Sequence, residues 1–180
     1  MWVDHAGEIL ILTGSPGAGK TTIATALTAL DGSPKVHLHA DEFWHFIKHG
    51  AIQPYLPEAH RQNTVVLDVL AGAAARYAAD GYFVVVDGIV GPWFLDAFAS
   101  VAAPVHYVVL RPPLAAAIAR CAARGGDTLS DPEPIAALHA QFAELGALEQ
   151  HALMTGGDGR DELLSRVIAA VNSGSYRLIE

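Results

Sequence analysis

The stretch LTGSPGAGKTT, residues 12–22, constrains the fold of this chain more than any other feature of its sequence. The phosphate-loop spacing G-x-x-x-x-G-K-[ST] is matched at each of its fixed positions: Gly14, Gly19, Lys20 and Thr21. Glycines let successive backbone N–H groups point inward at phosphate oxygens, and a following helix directs its positive end at the same anion. An apolar run precedes the loop and an alanine-rich stretch follows it. The sequence therefore predicts a nucleotide-binding loop between a strand and a helix.

The candidate nucleotide contacts occupy one continuous run of residues. They are Gly14, Ser15, Pro16, Gly17, Ala18, Gly19, Lys20, Thr21 and Thr22. Lys20 is predicted to reach the β- and γ-phosphates of ATP, and the hydroxyl of Thr21 to ligate Mg²⁺. The sequence has no Asn-Lys-x-Asp stretch for reading guanine, which argues against a GTPase. Transporter-type and ring ATPases need larger domains, so a small domain of the kinase type is expected.

Short apolar runs alternate with longer alanine-rich stretches along the chain. Strands are predicted over residues 8–14, 35–40, 82–88, 105–111 and 151–156. Helices are predicted over residues 20–30, 41–49, 58–80, 93–101, 114–124, 133–150 and 160–172. Several strands are apolar at nearly every position, as is typical of strands covered on both faces. The alternation predicts an α/β sandwich around a parallel sheet, with ligands at the carboxyl ends of the strands.

Composition limits the classes of partner and the number of domains. A length of 180 residues suits a single domain, residues 1–180, with a substantial core. The formal net charge of −8 argues against a broad nucleic-acid-binding surface. Cys121 is the single cysteine, so no internal disulfide can form. The N-terminal residues do not resemble a signal peptide, and no apolar run reaches the ~18 residues of a membrane span. We expect a cytoplasmic protein with no membrane partner, and the sequence carries no signal for its oligomeric state.

Two carboxylates follow predicted strands at the edge of the sheet that carries the phosphate loop. Asp41 follows the second strand in HLHAD, and Asp87 ends the third in VVVD. One carboxylate would accept a proton from an attacking hydroxyl, and the other would hold Mg²⁺ or its waters. We expect Asp41 to be the base, because a substrate would sit between the second strand and the next helix, and Asp87 to serve the metal. The reverse assignment is the alternative, and Asp41 would also suit the N-cap of the helix.

Three arginines are further candidates. Arg120 and Arg124 lie four residues apart, on one face of a predicted helix. Arginines on a closing segment stabilise the charge that develops on a transferred phosphoryl group, whereas a solvated helix face is the structural alternative. Arg111, at the end of the fourth strand, would either stack on adenine or cap the edge of the sheet.

Rings and histidines surround the two carboxylates in the sequence. Aromatic residues near Asp41 and Asp87 suit a neutral, partly apolar acceptor, and core packing is the alternative. They are Phe43, Trp44, Phe46, Tyr55, Trp93 and Phe94. The pairs His37/His39 and His45/His49 have spacings that can ligate zinc. Without an HExxH pattern or a cysteine pair beside them, we expect Mg²⁺ rather than a transition metal.

Together these motifs resemble the small P-loop kinases of the chloramphenicol phosphotransferase, zeta-toxin and gluconate-kinase group. The resemblance rests on LTGSPGAGKTT, HADEFW, PEAHRQN and VVVDGIVGPWFL, and it covers about residues 9–171. It implies a P-loop NTPase fold, a three-layer sandwich with a five-stranded parallel sheet in the order 2-3-1-4-5. It also implies an ATP site and a helical lid, about residues 112–133, that carries an arginine pair. An acid after strand two serves as the base in that group, which falls on Asp41.

The expected function is ATP-dependent transfer of the γ-phosphoryl group to a hydroxyl of an antibiotic-like or sugar-like small molecule. A nucleoside monophosphate kinase of the cytidylate type is one alternative. It is disfavoured because the acceptor region offers only Arg61 and Arg76 for a second phosphate. A nucleotide-binding regulator, or a weak ATPase without an acceptor, is the other alternative. It is disfavoured because a switch has no need of Asp41.

Overall fold

The sheet is the frame on which the phosphate loop is built. The computed structural model describes residues 2–124, 131–157 and 159–178. Its strands are β1 (Ile9–Gly14), β2 (Lys35–His39), β3 (Phe83–Asp87), β4 (Val105–Arg111) and β5 (Ala152–Met154). They pair in parallel in the order β2-β3-β1-β4-β5, which confirms the predicted topology. The central strand β1 is buried at every residue, as expected for a strand covered on both faces.

Helices cover both faces of the sheet. The α-helices are α1 (Lys20–Thr28), α2 (Ala40–His45), α3 (His60–Ala79), α4 (Leu114–Arg124), α5 (Pro132–Gln141) and α6 (Arg160–Ser173). Ile9 and Ile11 of β1 pack in the core cluster that contains α3. Leu10 and Leu12 pack in the opposite cluster, with α1 and α6. Because successive residues of a strand face opposite sides, β1 contributes to both cores, and the three-layer sandwich is confirmed.

Three predicted helices differ from those of the structure. The stretch 93–101 is a 3₁₀ helix over Pro92–Phe98. The stretch 133–150 is divided into α5 and a 3₁₀ helix over Gly146–His151, whose first residue, Gly146, adopts the left-handed conformation at φ 57°. The stretch 41–49 is the shorter α2, which ends at His45.

The start of α2 corrects one interpretation of Asp41. β2 runs directly into α2, so the N-cap residue is His39 and the suggested N-cap role for Asp41 is wrong. Asp41 lies in the first turn instead. A carboxylate there is stabilised by the positive end of the helix.

The predicted lid, about residues 112–133, includes α4 and the first residues of α5. Residues 125–130 of that stretch lie outside the described residues. Within the described ranges, no helix is both long enough and apolar enough to cross a bilayer.

Candidate functional site

The phosphate loop connects β1 to α1 and packs tightly against β4 and α4. Gly14 has φ 137°, and a Cβ atom there would lie 2.2 Å from the carbonyl oxygen of Leu110. Gly17 has φ 76°, and its Cβ would lie 2.3 Å from the carbonyl oxygen of Ala117. Only glycine allows this backbone conformation and this close approach. The hydroxyl of Ser15 is buried and makes no hydrogen bond within the described residues, as suits a loop shaped for an anionic ligand.

Lys20 begins α1 and folds back over the loop. Its Nζ donates hydrogen bonds to the carbonyl oxygens of Gly14 and Ser15, both at 3.0 Å. Burial lowers the pKa of Lys20 to about 8, while the negative charges of Asp41 and Asp87 act to raise it. Both predicted carboxylates therefore lie close enough to act on the ammonium group of the phosphate-loop lysine.

Asp87 is the best-connected carboxylate of the site. Its side chain is 2% exposed, and the hydroxyl of Thr21 donates to Oδ2 at 2.5 Å. Nε2 of His37 and Nδ1 of His39 lie 2.8 Å and 3.1 Å from Oδ1. Burial acts to raise the pKa of Asp87, but the hydrogen bonds from His37 and Thr21 and the charge of the imidazoles hold that pKa below its usual value. Asp87 is therefore ionised at neutral pH.

Thr21 and Asp87 fit the ligand preference of Mg²⁺. This ion takes hard oxygen ligands and keeps several waters, and a hydroxyl beside a carboxylate at a phosphate loop supplies such oxygens. The direct contact between Thr21 and Asp87 brings the two predicted metal ligands together. Asp41 lies at the same edge of the sheet, exposed in the first turn of α2.

The arginine pair of α4 lies beside the phosphate loop. Nη1 of Arg120 donates to the carbonyl oxygen of Gly17 at 3.3 Å. The positive charge of Arg124 is one of the influences that lower the pKa of Lys20. Both arginine side chains are exposed, yet both are within electrostatic reach of the loop. The helix face that carries them can therefore act on an anion bound there.

Arg111 has a partner that sequence reasoning missed. Its Nη1 and Nη2 donate to the two carboxylate oxygens of Glu149 at 2.5 Å and 3.0 Å. These bonds, together with one from the backbone N–H of Leu145, lower the pKa of Glu149 to about 2. The pair joins the end of β4 to the 3₁₀ helix before β5. No local sequence pattern signals this ion pair, because Arg111 and Glu149 are 38 residues apart. The contact of Arg111 with adenine stays a prediction.

The contact of His37 and His39 with Asp87 was also missed. Alternation along β2 places both rings on one side, and the parallel register pairs His39 with Asp87. The histidine spacing was visible in the sequence. Asp87, the third member, depends on the register between β2 and β3, which no spacing in the sequence reveals.

The aromatic residues near the carboxylates divide into two groups. Phe46, Tyr55 and Trp93 are exposed, at 66%, 61% and 45%. Phe43, Trp44 and Phe94 pack against the core cluster of α3. Nε1 of Trp44 also donates to Oδ1 of Asn63 at 2.8 Å, which ties α2 to α3. The second group therefore has a structural role.

Two clefts border α2 and the segment after it. One, of about 480 Å³, has a mixed lining in which His45, Lys48, Gln53 and Gln62 supply polar groups beside apolar residues such as Trp44. The other, of about 550 Å³, is more apolar and runs between α2 and α3. Phe43, Phe46, Val65 and Val69 line it, and Arg61 is its cationic residue.

A parallel sheet in this order, with a glycine loop between β1 and α1, defines a P-loop NTPase fold. The chain belongs to the AAA domain family AAA_33, whose profile matches residues 9–147. No curated protein matches the chain in a sequence search.

Several solved structures share the fold over nearly the whole chain. A sugar kinase from Janibacter sp. is 21% identical, with a TM-score of 0.68, over 92% of this chain and 94% of that one. A gluconokinase from Sinorhizobium meliloti is 14% identical, with a TM-score of 0.71, over 94% of both chains. The tunicamycin resistance protein of Deinococcus radiodurans is 19% identical, with a TM-score of 0.63, over 91% of this chain and 95% of that one. The fold that the resemblance to small P-loop kinases implies is thereby confirmed.

Proposed function

We propose that this protein is an ATP-dependent kinase that transfers the γ-phosphoryl group to a hydroxyl of a small molecule. The observation that carries the proposal is the placement of two carboxylates, Asp87 at the end of β3 and Asp41 at the start of α2, at the carboxyl ends of two neighbouring strands. Asp87 contacts the hydroxyl of Thr21, whereas Asp41 stands apart on α2 and is exposed. A nucleotide switch needs only the first of these carboxylates. A phosphotransferase uses a second one to orient and deprotonate its acceptor.

Each residue of the site has a role in this proposal. The loop N–H groups and Lys20 bind the β- and γ-phosphates, and Thr21 and Asp87 hold Mg²⁺, which when bound neutralises phosphate charge. Arg120 and Arg124 stabilise the charge that grows on the γ-phosphoryl oxygens. Asp41 accepts the proton of the acceptor hydroxyl as the phosphoryl group arrives.

The polar side chains in the mixed cleft beside α2 support a hydroxylated acceptor. Asp41 and His45 are four residues apart on α2 and so lie on the same side of that helix. His45 lines the cleft of about 480 Å³ together with Lys48 and Gln53. This volume falls in the range of small-molecule sites, and the amide and ammonium groups can hydrogen-bond several hydroxyls. We infer that a sugar-like acceptor binds there, with its reactive hydroxyl toward Asp41.

Acceptor-dependent ADP release, measured over a panel of hydroxylated metabolites and antibiotics with Mg²⁺ present, tests the proposal. We expect the Asp41→Asn variant to keep its ATP affinity and to lose acceptor phosphorylation by at least ~10²-fold, because general-base help contributes ~10²–10⁴-fold. Asp87→Asn should instead weaken the dependence on Mg²⁺. Asp68→Asn, on the exposed face of α3, is the matched control and should behave as the wild type.

Three outcomes would contradict the proposal or its assignments. ADP release that never depends on an acceptor would indicate an ATPase or a regulator. Phosphorylation of a nucleoside monophosphate alone would indicate the nucleotide kinase. Unchanged acceptor turnover in Asp41→Asn would transfer the role of base to Asp87.

A further inference from the structure

Two imidazoles and one carboxylate converge beside the phosphate loop. The rings of His37 and His39 lie 4.4 Å apart, centroid to centroid, on the same side of β2. Nε2 of His37 and Nδ1 of His39 approach the same oxygen, Oδ1 of Asp87, at 2.8 Å and 3.1 Å. The three candidate donor atoms all lie within 4.8 Å of one another.

We propose that His37 Nε2, His39 Nδ1 and Asp87 Oδ1 form a binding site for one transition-metal ion of the Zn²⁺ class. Imidazole nitrogens favour Zn²⁺ and its neighbours over Mg²⁺, and two imidazoles with one carboxylate form an open three-ligand zinc site. Donor atoms at ~2.0–2.2 Å from a tetrahedral ion are about 3.3 Å apart. The two observed nitrogen–oxygen distances need to lengthen by only a few tenths of an ångström to meet that geometry.

The surroundings of the three ligands suit an ion that enters from solvent. The side chain of His39 is 43% exposed and that of His37 is 18% exposed, whereas Asp87 is 2% exposed. A water molecule can therefore reach the fourth position from the His39 side. Thr21 donates to Oδ2 of Asp87 and so fixes the carboxylate with Oδ1 toward the imidazoles. Partners of this kind orient metal ligands and strengthen metal binding.

Occupation of this site has a consequence that rests on the proposed kinase function. Asp87 is also the carboxylate that we assign to Mg²⁺, so one residue would serve two metals of different ligand preference. An ion held by the imidazoles would bind Oδ1 and so compete with Mg²⁺ for the negative charge of this one carboxylate. Micromolar Zn²⁺ would then inhibit ATP turnover in the presence of excess Mg²⁺, and a zinc chelator would restore it.

Metal binding by the ligand-free full-length chain tests the site without any need for turnover. Titration with Co²⁺, followed by visible absorption, should show one equivalent with the bands of a four-coordinate ion, which Zn²⁺ then displaces. The variants His39→Ala and His37→Ala should each fail to bind this equivalent of Co²⁺. The loss of affinity should exceed the ~10–100-fold that removal of an outer-shell partner costs.

Two control variants distinguish this site from the other histidines. The double variant His45→Ala/His49→Ala removes a histidine pair near α2 and should keep the equivalent of Co²⁺. His5→Ala disrupts the other candidate group of metal ligands among the described residues, formed with Glu8 and His106, and should also keep it. A thermal melt without metal checks the folding of each variant. If His37→Ala fails to fold, the more exposed His39→Ala decides the result alone.

The proposal is wrong if folded His39→Ala binds Co²⁺ as the wild type does, or if only His5→Ala loses the equivalent. Absence of kinase activity would leave this result unaffected, because the titration uses neither ATP nor an acceptor.

Discussion

The lysine of the phosphate loop should make the stability of the ligand-free protein depend on alkaline pH. Burial lowers the pKa of Lys20 from 10.5 to about 8, against the opposing charges of Asp41 and Asp87. The folded protein therefore binds fewer protons than the unfolded chain between these two values. Since stability rises with pH wherever the unfolded state binds more protons, the wild type should gain stability across this interval. A Lys20→Met variant retains an unbranched side chain but has no proton to lose, so it should lack this gain.

The size of the effect follows from the two pKa values. At about 1.36 kcal/mol per pKa unit, linkage gives a gain of roughly 2.5 kcal/mol between about pH 7 and pH 10. The side chain of Lys20 is only partly buried, so solvent screening reduces the expected gain to ~1–2 kcal/mol. For a chain of this size, that corresponds to a change of roughly 2–8 °C in the relative Tm. Met cannot make the hydrogen bonds of Lys20 to Gly14 and Ser15. Their loss lowers the free energy of unfolding by a similar amount at every pH, so it does not produce a dependence of stability on pH.

Urea denaturation of the wild type and Lys20→Met at several values between about pH 7 and pH 10 measures the difference directly. Lys35→Met is the matched control, because Nζ of Lys35 also donates to backbone carbonyls, those of Leu30, Asp31 and Ser33. The change in stability of Lys35→Met measures the effect of losing a lysine that is hydrogen-bonded to carbonyl groups, and this effect is subtracted from that of Lys20→Met. The reasoning would be refuted if the free energy of unfolding of the wild type, relative to that of Lys20→Met, stayed constant or decreased as pH rises.

Three further predictions concern catalysis and the loop. Lys20→Ala should lose nearly all ATP turnover while a thermal melt shows a folded protein; near-normal turnover would mean that this loop is not the catalytic phosphate site. Arg124→Ala should slow turnover more than it weakens ADP binding, because its partner is charge that grows in the transition state; an equal loss in both assays would make Arg124 a ground-state ligand. Gly14→Ala should abolish nucleotide binding by calorimetry and lower the denaturation midpoint, since its Cβ would meet the Leu110 carbonyl oxygen at 2.2 Å. Normal nucleotide binding in that variant would show that the loop can shift.

Much of the fold could be predicted because its signals are local. β4 was predicted with its observed bounds, and β1, β2 and β3 to within one residue at each end, since buried parallel strands read as short apolar runs. The phosphate loop was readable for the same reason: its glycines, lysine and threonine are close in sequence and act as one unit. The predicted bounds of α2 were wrong, and so was the prediction of one continuous helix over residues 133–150. Helix ends depend on the surrounding packing as well as on intrinsic propensity.

The sequence by itself determined that a phosphate-binding turn joins a buried strand to a helix, and that acids stand at the carboxyl ends of the second and third strands. Only the tertiary structure decided which side chains meet Asp87. His37 is 50 residues from Asp87, and Arg111 is 38 residues from Glu149. Both contacts exist because sheet order and register bring distant segments together, and register is set by the packing of whole faces against the two helical layers. The chemistry beside the phosphate loop therefore depends on non-local pairing that no short stretch of this chain encodes.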